Sequence, residues 1–245
     1  MQNHVLAGAL LVAILPSLAG AQPVSTAASG ESSGRHALDV HLVGTGDDGV
    51  LGLGYRYGLA GGSQLGLSLR TGYARTLFSA GQALEDATML QTVLHARVPV
   101  LREGRLVVAF RGDLGLRSYF GPDGFEGDEF APATQREASA VHVLDVEAGL
   151  VASVSAGTRG LWRLGVLATY GTELTPGSEV DRQGALLVSG GSLDVGRRAQ
   201  LFADLELGGV FGAGGDAAKV LYRSTLGVRV RLGAGSADAA PWRSF

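Results

Sequence analysis

The sequence predicts an all-β protein: a closed, antiparallel, up-and-down barrel of about ten strands that crosses a membrane. Three observations carry this prediction. Side chains alternate between apolar and polar with a period of two along nearly the whole chain, a pattern that no helical period reproduces. The connections alternate between tight and long, as they do in transmembrane barrels. Beyond the N-terminus no run of about 18 apolar residues occurs, so a crossing is made by strands or not at all.

Taken in order, the first 21 residues read as an export signal. Residues 5–15 form a short apolar core, Pro16 interrupts it, and Ala19-Gly20-Ala21 supplies small residues for cleavage before Gln22. Residues 22–34 are rich in Ser, Ala and Gly and read as a flexible periplasmic lead-in. The barrel is expected over 35–233, followed by a periplasmic tail over 234–245. Its predicted strands are 36–45, 49–59, 64–75, 88–100, 105–118, 139–155, 160–172, 183–195, 199–211 and 219–232. The eighth has the least distinct parity because Gly190-Gly191 interrupts it. Connections after strands two, four, six and eight are short and bear glycine, as tight hairpins require. Those after odd strands are mostly longer, with residues 119–138 the longest. Placing the short turns in the periplasm leaves both ends of an even-stranded barrel there.

Alternation alone does not say which face points outward, because a soluble ligand-binding barrel also alternates with its apolar side inward. Aromatic residues and glycine distinguish the two. Tyr55, Tyr57 and Trp162 fall at one end of the apolar face, and Tyr73, Phe120, Tyr170, Phe211 and Tyr222 at the other. Such rings at both interfaces suit a membrane belt. The second face mixes glycine with charge: Arg56, Arg70, Arg97, Arg111, Asp113, Arg117, Asp145, Glu147, Arg163, Asp204, Glu206, Arg223, Arg229 and Arg231. Large and small side chains must share room inside a narrow barrel, so this face is expected to line the lumen as a charge network. Arginine forks facing carboxylates satisfy one another there. The same lining is compatible with a filled, structural barrel or with a narrow channel whose selectivity its arginines set.

In this pattern, over about 36–232, the chain resembles the small outer-membrane β-barrel proteins of Gram-negative bacteria, the OmpA- and OmpX-like barrels. The resemblance implies residence in the outer membrane, contact with its lipid and lipopolysaccharide, and insertion by the barrel-assembly machinery. Relatives of this kind carry a terminal aromatic as an assembly signal, for which Phe245 and Leu232 are the two candidates. Some ten-stranded members are proteases with a His and carboxylates near the outer rim. Here only His142 falls near that rim, and its parity sets it on the lipid side.

Composition narrows the remaining classes. The 245-residue chain has a net charge of −3, one lysine among 20 basic residues and no basic run, which excludes a nucleic-acid tracking surface. Without cysteine it has neither disulfides nor thiolate metal sites. The acidic residues Asp123, Glu126, Asp128 and Glu129 in the longest loop do not spell a calcium loop. They are outer-loop candidates for contact with headgroups or an unknown surface partner. No catalytic, cofactor-binding or metal-binding residue is assigned. The expectation is a non-enzymatic barrel with a largely filled, charged lumen and loops that act in interaction or envelope structure.

Overall fold

A computed structural model describes residues 35–45, 48–76, 83–120, 140–157, 159–174, 181–195, 198–212 and 219–232. Ten strands pair in sequence order, each antiparallel to the next, and β1 closes on β10. They are β1 (His36–Thr45), β2 (Asp48–Gly58), β3 (Gln64–Thr76), β4 (Ala83–Glu103), β5 (Leu106–Phe120), β6 (Ala140–Ala156), β7 (Gly160–Glu173), β8 (Asp181–Val195), β9 (Ala199–Gly212) and β10 (Lys219–Leu232). Closure gives every strand two partners and leaves no edge to aggregate.

The register fixes the tilt. One row of paired residues runs from Ala37 through Arg56, Gly66, His95, Asp113, Glu147, Thr169, Gly184 and Val210 to Lys219. Extending the β1–β10 pairing returns this row to β1 about twelve positions higher, a stagger that with ten strands tilts them by roughly 40°. Side chains of one row therefore lie at successively different depths.

Alternation places the apolar set outside. Leu51, Leu53, Leu67, Leu69, Leu164, Val166, Leu187, Leu205, Leu226 and Val228 are exposed on the outer surface. The inner set is buried and mostly polar, but the β6–β10 arc adds an apolar patch of Val151, Leu167, Leu186, Val188, Val210 and Leu221. Gly190 points inward, where an added Cβ would collide with the Asp204 carboxylate. This settles the parity of β8 that the glycine pair obscured.

Several boundaries differ from the periodicity, most of all at β4, which begins at Ala83, inside the expected loop, and not at residue 88. β4 runs to Glu103 because of an irregularity between Pro99 and Leu101. There Val100 and Leu101, 38% and 49% exposed, stand on the outside in succession. This extra residue is a β-bulge, which shifts parity and hides the last turn of the pattern. The hairpin that follows is Gly104-Arg105, with Gly104 at φ 53°, a left-handed conformation that favours glycine. β5 likewise continues to Phe120, so Tyr119 belongs to a strand rather than to the long loop. Its ring is 1% exposed and faces inward, where Arg117 Nη1 donates to its hydroxyl at 3.0 Å.

Candidate functional site: the charged lumen

The inward positions converge because adjacent strands bring residues about 5 Å apart and the barrel wall curves them toward one axis. Near mid-depth the network spans the lumen. Arg111 on β5 donates from Nε to Asp113 Oδ2 at 2.8 Å and from Nη1 to Glu206 Oε1 on β9 at 3.0 Å. Arg223 on β10 grips Glu147 on β6 with both terminal nitrogens, at 2.8 and 2.7 Å, and also pairs with Glu206. Arg111–Glu206 and Arg223–Glu147 join strands that do not pair, so these two are cross-braces between walls, whereas Arg223–Glu206 links the neighbouring strands β10 and β9. Bidentate arginine–carboxylate contacts of this kind are the strong ones.

Toward the long-loop end Arg117 pairs with Asp145 at 2.8 Å, and Gln91 Nε2 donates to the same carboxylate at 3.3 Å. Toward the short-turn end Arg163 pairs with Asp204 at 2.9 Å and Arg231 with Asp194 at 3.3 Å. Arg56 Nε donates to Asp39 Oδ2 at 2.8 Å, and Arg229 lies 3.8 Å from the same oxygen. Arg97 Nη2 donates to Ser153 Oγ at 3.0 Å. Arg70 reaches His41 Nε2 at 3.3 Å and Gln91 Oε1 at 3.4 Å. A cavity of about 130 Å³ remains among these groups, room for several water molecules.

Sequence reasoning singled out neither Asp39 nor Ser68, whereas His41 and His95 were expected to face the lumen and Asp113 to belong to its charge network. Asp39 is enclosed and central, held by Arg56 and by His41, whose Nδ1 donates at 2.8 Å. Its parity with His41 was the available signal. Three neighbouring strands also align Ser68, His95 and Asp113: Ser68 Oγ lies 2.8 Å from His95 Nε2, and His95 Nδ1 donates to Asp113 Oδ1 at 2.8 Å. Because a carboxylate only accepts, the proton sits on Nδ1. On the outer face His142 Nδ1 lies 2.9 Å from Ser118 Oγ.

The aromatic positions divide by end. Tyr55, Tyr57 and Trp162 stand near the short-turn ends of β2 and β7, where His36 packs on both tyrosine rings. Phe120, Phe211 and Tyr222 are exposed near the opposite ends of β5, β9 and β10, and Tyr170 on β7 points outward toward that same end. The side chain of Tyr73 lies outside the described residues, as do Asp123, Glu126, Asp128, Glu129 and Phe245. Leu232 is the last residue of β10 and pairs with His36. Among the described residues no group of three or more His, Asp or Glu is placed to hold a metal.

No family model and no curated protein matches the chain. Among solved structures it is similar to the β domain of the Bordetella autotransporter BrkA, with a TM-score of 0.50 and 11% identity over 82% of this chain and 99% of that one. A weaker likeness, TM-score 0.40 and 9% identity over 85% and 100%, is to the outer membrane protease OmpT from Escherichia coli. The chain thus has the closed, all-antiparallel architecture of the small outer-membrane β-barrels.

Proposed function

We propose that the chain is an integral outer-membrane barrel without enzymatic activity, a braced scaffold that presents the loops of its long-loop end to lipopolysaccharide or a surface partner. The observation that carries this reading is the pair of lumen-spanning braces, Arg111–Glu206 and Arg223–Glu147, inside an apolar exterior. The exterior supports a lipid environment, since more than thirty exposed large apolar side chains would be intolerable in water. Its short turns face the periplasm, in keeping with the N-terminal export pattern.

The two serine–histidine arrangements belong to this scaffold. Ser68 is 1% exposed and does not line the cavity, so no carbonyl carbon has room at its Oγ. Its hydroxyl satisfies His95, as buried polar groups require. The exposed Ser118–His142 pair has no carboxylate behind the imidazole among the described residues, and so lacks the orienting third group of a relay. A fluorophosphonate applied to folded protein is expected to label neither serine. Stoichiometric labelling of one, lost on Ser68→Ala or Ser118→Ala, would overturn the non-enzymatic reading.

The interior cavity favours one second reading, a narrow channel. Single-channel recording in planar bilayers separates the two. The braced scaffold gives no discrete steps from folded protein. Steps that grow when Glu206→Ala removes a brace partner would establish the channel.

A further inference from the structure

The two ends of the lumen are closed by different chemistry. Counting the climb of the register from β4 to β9 brings Met89, Tyr119, Val143 and Val210 to one depth near the long-loop end, within about one residue rise of ~3 Å. Each points inward and is buried, and Leu221 on β10 and Val50 on β2 lie just below them. β7 and β8 complete this ring with Glu173 and Arg182, which are buried and engaged with other groups. The Tyr119 hydroxyl is the one oxygen or nitrogen among the four side chains. It accepts from Arg117, which pairs with Asp145 beneath the ring.

The opposite end is mostly polar. Ser153, Ser155, Asp194 and Gln200 close the short-turn mouth, with Val107 and Leu161 beside them. Gln64 Nε2, Ser155 Oγ and Arg163 Nε are buried toward this end without a hydrogen-bond partner among the described residues. Buried polar groups that protein does not satisfy are held by ordered water, so this end is wet. The cavity spans the lumen between the two closures. Gln64 and Arg97 line it on the short-turn side, and Gln91 and Asp145 on the other. None of the six apolar residues of the long-loop end borders it.

We infer that the lumen is a one-sided aqueous chamber, wetted through its short-turn mouth and shut at the long-loop end by the apolar ring of Met89, Tyr119, Val143 and Val210. A buried water needs about 2–4 polar partners, and these side chains offer it one hydroxyl that Arg117 already engages. An apolar constriction closes a passage by excluding water from it, with no need of a steric plug. The braces at mid-depth are then struts inside a wet interior, and the ring above them is the barrier. Water and small hydrophilic ions enter and leave the chamber from the short-turn side.

The chain has no cysteine, so one introduced thiol reports access without background. Thr225→Cys places it on the cavity wall, away from the ring. The full-length protein is inserted in one orientation into phospholipid vesicles, and Arg159→Cys, at an exposed position in the short turn after β6, identifies the face. Silver ion, a small thiophilic cation, is then supplied to one face at a time in chloride-free buffer. Modification of the Thr225→Cys thiol is expected from the short-turn face, at least about tenfold faster than from the long-loop face. Val143→Thr keeps the side-chain shape and adds a hydroxyl, and it is expected to raise the long-loop rate several-fold. Tyr119→Ala is expected to make the two rates comparable, whereas Glu206→Ala, which releases a brace, leaves their ratio unchanged. Heat-modifiable migration in gels verifies that each variant is folded. Equal rates from the two faces without a further substitution, a faster rate from the long-loop face, or no modification from either would each overturn the chamber. An unchanged long-loop rate in folded V143T and Y119A would overturn the ring as its seal, and loss of sidedness in Glu206→Ala would assign the barrier to the braces instead.

Discussion

The outer and inner faces of this barrel share the same strands, residue by residue, yet they are built on opposite rules. Outside, Leu53, Leu69, Leu164, Val166 and Leu226 are exposed and need no particular neighbour, because hydrocarbon is an undemanding solvent. Inside, each charged group needs a specific partner: Arg223 needs Glu147 and Glu206, and Arg117 needs Asp145. The outer face therefore tolerates exchange among apolar residues and forbids charge. The inner face accepts charge and forbids orphaning it. Removing one member of a buried pair costs more than the pair itself contributes, since the remaining charge is stranded.

This contrast is sharpest at Arg223. Arg223→Met takes from Glu147 its bidentate partner and from Glu206 one of its two arginines, and a loss of about 3–5 kcal/mol is expected, measured by reversible denaturant unfolding in lipid vesicles. Adding Glu147→Gln is expected to restore part of that loss, because the cycle removes the orphan as well as the pair. A double variant no more stable than the single would break the claim that the pairing, and not packing, is what matters inside.

On the outer face Val166→Arg should cost about 2–4 kcal/mol at mid-bilayer, read by the same unfolding. Val166 is 53% exposed on the outer face. An Arg as well tolerated there as at a loop position would contradict the lipid-facing assignment. The inward neighbour Gly165 fails for another reason, since an added Cβ would lie 2.6 Å from the Leu150 carbonyl oxygen. Gly165→Ala is expected to cost about 1–3 kcal/mol by overpacking, with no dependence on whether detergent or lipid surrounds the barrel. The smallest effect is expected for Leu164→Ile, about 0.5 kcal/mol or less. A cost comparable to that of Gly165→Ala would show that the outer face has specific packing after all.

Strand number and parity were legible in the sequence because a period of two is rigid: one slipped residue would turn every leucine into the lumen. Thus β1, β7 and β10 lie within a residue or so of their periodic spans. The tail of β4 was not legible, since the bulge at Val100 breaks the alternation on which the reading depends. The sequence sets Tyr119 at the start of the long loop because the nearby Gly121, Pro122 and Gly124 mark a turn, a signal that outweighs the inward parity of a single residue. Asp39 escaped notice as a single acid in an otherwise apolar strand, although it sits at the centre of a four-residue cluster.

What the sequence determined by itself was location on the wall: which residues face in, which face out, and where the aromatic ends of the strands lie. Those follow from local geometry, two residues per repeat. Which arginine meets which carboxylate was decided only by the tertiary structure. Arg111 and Glu206 are 95 positions apart and meet across the barrel, and Met89, Tyr119, Val143 and Val210 reach one level only after the stagger of the strands is summed. Strand count and shear set that sum, and both are properties of the closed barrel, not of any one strand.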